Sequence, residues 1–136
     1  MSFLLDTNVI SELRKGGRAD RSVSQWFEDN YRGGYFLSSL VIGEIRKGIE
    51  SLGARDSKAA KSLDAWLEET CRLFEGRIIP IDRQIAEEWG RMSAKDPPPV
   101  IDGLMAATAA ARGLTLVTRN TADIEHTGVS YINPFL

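Results

Sequence analysis

Five short apolar segments, each bounded by turn-forming residues and separated by helical patterns, constrain this chain more than any other feature. Phe3-Leu4-Leu5 stops at Asp6, and Tyr35-Phe36-Leu37 follows Gly33-Gly34. Ile78-Ile79-Pro80-Ile81 follows Gly76, and Leu114-Thr115-Leu116-Val117-Thr118 follows Gly113. The last, Val129-Ser130-Tyr131-Ile132, runs into Asn133-Pro134. Such runs read as buried strands. Pro80 lacks a backbone donor, which confines its run to a sheet edge or a strand end.

The intervening segments carry the 3.6-residue period. Leu63, Trp66, Leu67, Thr70, Cys71 and Phe74 predict a helix over 57–75, and Ile85, Trp89 and Met92 predict one over 83–94. Ser38 or Ser39 is placed to cap a helix carrying Leu40, Val41, Glu44, Ile45 and Gly48. An alanine-rich helix over 100–112 should end at Gly113. Strands alternating with helices imply an α/β sandwich around a mostly parallel sheet of four or five strands. Ligands of that architecture bind off the carboxyl ends of the strands.

The chain of 136 residues suits a single domain over 1–136. Its lone cysteine, Cys71, excludes an internal disulfide and a cysteine-rich metal cluster. No apolar run approaches the ~20 residues of a membrane span. The start also lacks the basic region of a signal peptide, so a cytoplasmic protein is the expectation. The formal net charge of −2 argues against a general nucleic-acid coat protein. It leaves a nucleic-acid enzyme open, because four acids gathered at one site would account for −4 and leave the rest of the chain at +2.

Four acids merit attention. Asp6 follows the first strand, Glu44 lies mid-helix, Asp102 opens the alanine-rich helix, and Asp123 follows Thr118-Arg119-Asn120 after the fourth strand. Each has an ordinary explanation: a helix cap for Asp6, pairing with Arg46 or Lys47 for Glu44, a favourable helix dipole for Asp102, and a helix start capped by Asn120 for Asp123. Together they point further. Two carboxylates ~5 Å apart repel by roughly 3 kcal/mol at an effective dielectric near 20, so several converging require protons or a cation. All-oxygen donors select Mg²⁺ or Mn²⁺ over zinc.

The residues around these acids resemble a known family. Leu4-Leu5-Asp6-Thr7-Asn8-Val9-Ile10-Ser11-Glu12 resembles the opening motif of PIN-domain ribonucleases, specifically VapC-type toxins of bacterial toxin–antitoxin pairs. Ser38-Ser39-Leu40-Val41-Ile42-Gly43-Glu44-Ile45-Arg46-Lys47-Gly48 is similar to their second motif, and Ile101-Asp102-Gly103-Leu104-Met105-Ala106-Ala107 to their third. Leu116-Val117-Thr118-Arg119-Asn120-Thr121-Ala122-Asp123 is similar to the fourth, and Asn133-Pro134-Phe135 to the usual tail.

The resemblance implies a three-layer α/β/α sandwich and an Mg²⁺- or Mn²⁺-dependent endoribonuclease. Asp6, Glu44 and Asp102 would ligate the ion. The fourth acid directly follows the Thr-Arg pair in some members, where this chain has Asn120; others carry it a few residues on, as Asp123 does. Asp123 is therefore expected to supply the charge, and Thr7, Ser11 and Asn120 to orient the carboxylates. Arg119 is the expected RNA contact beside the site, ahead of Arg14, Lys15, Arg18, Arg21, Arg46 and Lys47. The implied partners are a VapB-type antitoxin whose arginine enters the acidic cleft and a second copy of the chain, with operator DNA reached only through the antitoxin. Two other readings stay open: an aspartyl-nucleophile phosphatase acting through Asp6, disfavoured by Asn8 where a second acid is usual, and a PIN-like module that binds without cutting.

Overall fold

A computed structural model describes residues 1–136. Five strands form one parallel sheet: β1 (Phe3–Leu5), β2 (Tyr35–Ser38), β3 (Ile78–Ile79), β4 (Thr115–Val117) and β5 (Tyr131–Ile132). The spatial order is β3-β2-β1-β4-β5. Six α-helices connect them: α1 (Thr7–Leu13), α2 (Arg21–Asn30), α3 (Ser39–Gly53), α4 (Ser57–Leu73), α5 (Arg83–Ser93) and α6 (Val100–Arg112). The expected α/β architecture is therefore present. The third strand ends before Pro80 and occupies an edge of the sheet, as proline requires.

The order has a functional consequence. From β1 the chain steps outward to β2 and β3, then crosses back to β4 on the other side of β1. Right-handed crossovers put the connections of the two directions on opposite faces of the sheet. The switch of direction lies between β1 and β4, and it opens a crevice at their carboxyl ends. The register Leu5↔Val117 brings Asp6 and Thr118, the residues just beyond each strand, side by side in that crevice.

Local chemistry accounts for the helix boundaries. The side chains of Asp6, Asp20, Ser38, Asp56 and Asp82 cap α1, α2, α3, α4 and α5 by accepting backbone N–H bonds. Gly113 ends α6 in the left-handed conformation, φ 66°, which costs a residue without Cβ little. Helix α2 was not anticipated. Its signal is the Asp20 cap followed by Val23, Trp26 and Phe27 on one face, with Val23 fully buried.

The core is continuous. Leu4, Leu5, Leu37, Val41, Leu116 and Val117 are essentially inaccessible, and each such side chain contributes roughly 1.5–3 kcal/mol of burial. Trp26 packs edge-on against Phe3, and Trp66 also lies against the core, as tryptophans at helical spacing should. Helix α6 buries Met105, Ala106, Ala107 and Ala109, so its small residues let it lie close to its neighbours.

Helices α5 and α6 pack along one another. At Gly103 the packing is tight: a Cβ there would lie 2.8 Å from the Pro98 ring and 3.3 Å from the Trp89 indole. On this seam the indole Nε1 of Trp89 and Oγ of Ser93, one helical turn apart, are both buried without a hydrogen-bond partner. Gly103→Ala gains under ~1 kcal/mol of helix propensity, whereas overpacking costs about 1–3 kcal/mol. We expect a net loss of about 1–2 kcal/mol in urea unfolding. Unchanged or greater stability would mean that α5 yields freely at this point.

Candidate active site

The site is built outward from Asp6. Its carboxylate is 5% exposed and caps α1, with Oδ1 accepting from the Thr7 N–H at 2.7 Å. Oδ2 accepts from the Thr118 hydroxyl at 2.7 Å and, more weakly, from the Asn8 amide at 3.4 Å. The Asp6 N–H donates to the Val117 carbonyl at 2.9 Å. Burial raises the pKa of Asp6 above the ordinary aspartate value; the bonds from Thr118 and Thr7 pull it back, and the Glu44 charge raises it further.

Thr118 is the residue that sequence reasoning left without a role. It is 1% exposed, and its hydroxyl donates to Asp6 while accepting from the Asn120 N–H at 3.0 Å. Asn8 adds a second tie: its side-chain oxygen accepts from the Arg119 N–H at 3.2 Å. The start of α1 and the loop after β4 are thereby fastened together. The available signal was the position of Thr118 at the end of β4, but its use depends on the register with β1.

Glu44 reaches the site from α3. It is exposed, and Oε1 accepts from the Thr7 hydroxyl at 2.5 Å. Its charge acts on both Asp6 and Asp102. Asp102, partly exposed in the first turn of α6, has its pKa raised first by burial, then by the charges of Asp6 and Asp123, with a smaller contribution from Glu44. The Asn120 side-chain amide works the other way and lowers it. Asp123 lies exposed in a single 3-10 turn, Thr121–Asp123.

The structure thus brings Asp6, Glu44 and Asp102 within electrostatic reach of one another and Asp123 within reach of Asp102, with Thr7 and Asn120 alongside. Ser11 is exposed on α1 and hydrogen-bonds none of them. None of the four acids has a Lys, Arg or His partner within 4.0 Å. The basic residues expected nearby are partly committed elsewhere: Lys15 to Glu12, Arg46 to Asp64, and Arg14 over the Trp66 ring. His126 contacts Asp96 instead.

Uncompensated, hard, all-oxygen donors of this kind fit a divalent cation such as Mg²⁺ or Mn²⁺. They do not form a finished shell, because no three acidic, His or Cys side chains close on one point. Asp6 is fixed by the sheet and Glu44 is held by the Thr7 hydroxyl, whereas Asp123 is exposed.

The PIN domain family model matches residues 3–129. The chain belongs to the PIN-domain family. Among its relatives is the protein named VapC ribonuclease Y4jK of Sinorhizobium fredii, 34% identical over 98% of this chain and 97% of that one. The toxin FitB of Neisseria gonorrhoeae is 35% identical, with 98% of each chain covered. Among solved structures, FitAcB from Neisseria gonorrhoeae superposes with a TM-score of 0.86 at 31% identity, again covering 98% of each chain. Asp6, Glu44, Asp102 and Thr118 lie within the residues matched to the PIN domain.

Two outcomes follow from the geometry. Thr118→Val removes the hydroxyl that holds Asp6 while keeping the side chain's shape, and a loss of about 10–100-fold in activity or metal affinity is expected. Activity equal to the parent's would show that Asp6 needs no such support. Asp102 and Asp6 have raised pKa values, so their contribution to stability is complete below the unfolded value of 3.8 and is lost as pH rises through the folded values. In metal-free buffer Asp102→Asn should therefore melt a few degrees above the parent at neutral pH. The gap should narrow as the buffer is acidified toward the unfolded value. A parent more stable than the variant at neutral pH would contradict the assigned repulsion.

Proposed function

We propose that this chain is the toxin of a type II toxin–antitoxin pair and an endoribonuclease that hydrolyses RNA phosphodiester bonds using Mg²⁺ or Mn²⁺. The observation that carries this reading is the set of four carboxylates without cationic partners in the crevice between β1 and β4 of a PIN domain. The named ribonuclease and toxin relatives support the same conclusion.

In this reading Asp6 and Asp102 would hold the ion, and Glu44 would join them or orient the attacking water. The ion, when bound, supplies Lewis acidity to the phosphoryl oxygens and to that water. Thr7 fixes the Glu44 carboxylate through its hydroxyl, and Asp123 adds negative charge from the rim. Arg119 offers the donors that a phosphodiester needs to approach so acidic a site. Asp6 suits a covalent nucleophile poorly, since it is buried and both its oxygens already accept hydrogen bonds.

The implied partner is a VapB-type antitoxin. A groove of about 560 Å³ opens along α3 beside Glu44, lined by Leu40, Gly43, Lys47, Gly48 and Ile101 among others. Val100 and Ile101 at the start of α6 are also unusually exposed for apolar residues, at 59% and 36%. An amphipathic segment seated there would bring an arginine within reach of the acids. The chain is proposed to pair with a second copy of itself, giving a heterotetramer or larger assembly with the antitoxin. Operator DNA would be held by the antitoxin, because the toxin's net charge of −2 provides no general DNA-binding surface. No helix is long and apolar enough to cross a membrane; a cytoplasmic location is part of the proposal.

Cleavage of a labelled RNA should stop with chelator and resume with Mg²⁺ or Mn²⁺. Asp6→Asn and Glu44→Gln should each lower the rate by at least about two orders of magnitude, the scale on which lost electrostatic stabilisation is felt. Full activity in chelator, or in Asp6→Asn, would overturn the mechanism. Trapping of a phosphoryl group on Asp6 would favour the phosphatase instead. Gly48→Trp fills an open part of the groove, where a Cβ meets nothing within 4 Å. It should raise the concentration of antitoxin needed to silence cleavage; an unchanged requirement would place the antitoxin elsewhere.

A further inference from the structure

The C-terminal tail has no part in the site so far, yet the sheet delivers it there. Strand β5 pairs with β4 in the register Val117↔Ile132, and the Thr118 N–H donates to the Ile132 carbonyl at 3.0 Å. Asn133 therefore leaves the sheet next to Thr118 and Arg119. Its side-chain oxygen accepts from the Phe135 N–H at 2.9 Å, and Pro134 between them is buried. This turn sets the Phe135 ring beneath Arg119, whose guanidinium carbon lies 4.6 Å from the ring centre.

Beyond that ring, the Arg119 charge acts on Glu12 of α1. Arg119 forms no side-chain hydrogen bond and no ion pair, although its backbone N–H is held by Asn8. It directly follows Thr118, the residue that fixes Asp6. An exposed arginine usually samples many rotamers, and ordering it on a ligand costs affinity. An aromatic plate reduces that cost and leaves the N–H groups free to take two phosphate oxygens.

We infer that Phe135 is a positioning residue that holds Arg119, one residue beyond Thr118 in the loop after β4, as a clamp for a phosphodiester of single-stranded RNA. The inference rests on the ribonuclease reading. Phe135 acts through Arg119 and need not touch RNA itself.

A double-mutant cycle tests it, with cleavage of a fluorescent single-stranded RNA oligonucleotide in Mn²⁺ and anisotropy binding of the same oligonucleotide in chelator. Phe135→Leu should raise KM and Kd about two- to five-fold, the range of an exposed cation–π contact, with kcat little changed. Phe135→Tyr should restore the parent values. Arg119→Gln should weaken binding about tenfold or more, and adding Phe135→Leu to it should cost nothing further. Arg119→Met keeps the length without the charge; it should also be insensitive to Phe135→Leu, which provides a second route should one variant fold poorly.

Equal losses from Phe135→Leu with and without Arg119 would overturn the inference, because Phe135 would then act independently of the arginine. So would a KM unaffected by Arg119→Gln in a parent that cuts RNA normally, and in that case the ribonuclease reading survives. A parent that neither binds nor cuts RNA overturns both.

Discussion

The parallel pairing of β1 with β4 is the contact on which the rest of the molecule's chemistry depends. Leu5 opposite Val117 is an ordinary core pair, inaccessible on both strands. Yet this register sets Asp6 against the Thr118 hydroxyl and brings the start of α1 to the loop after β4. A shift by one residue would turn the side chains over and leave a buried aspartate without its donor. The apolar core and the acidic crevice are therefore specified by the same alignment, and the energy of the first enforces the geometry of the second.

Charge completes what the sheet begins. Four acids share one end of the fold with no Lys, Arg or His partner, an arrangement that costs stability as long as they are ionised. Proteins tolerate such a cost where the strain serves a ligand. The PIN family and the ribonuclease and toxin relatives supply the biological context. The raised pKa values of Asp6 and Asp102 have the physical causes that context requires, burial and mutual repulsion.

Much of this was legible in the chain because it is written locally. Strands ended near the predicted turn residues, Ser38 capped α3 as proposed, and Gly113 ended α6. Asp6, Glu44 and Asp102 were visible because each sits in a short motif at an element boundary. Features that depend on distant partners were not. The role of Thr118 requires a residue 112 positions away, and the engagement of Arg46 with Asp64 or Arg14 with Trp66 requires the packing of separate helices. Ser11 illustrates the same limit in reverse: motif proximity suggested a supporting role, while the turn of α1 leaves it in solvent. Helix α2 was hidden by the basic residues that precede it, although its cap and apolar face lay in plain sequence.

The seam between α5 and α6 makes the two halves of the crevice mechanically unequal. Asp6 is anchored by strand pairing and three donors, whereas Asp102 rides on a helix whose backing includes an indole and a hydroxyl with unspent bonding capacity. Close packing of Gly103 against Pro98 and Trp89 nevertheless seats that helix, so the two banks are held by different means, strand hydrogen bonds on one side and side-chain packing on the other. A change in the α5–α6 seam would therefore displace Asp102 and leave Asp6 where it is, so damage to helix packing and damage to the sheet reach the acids separately.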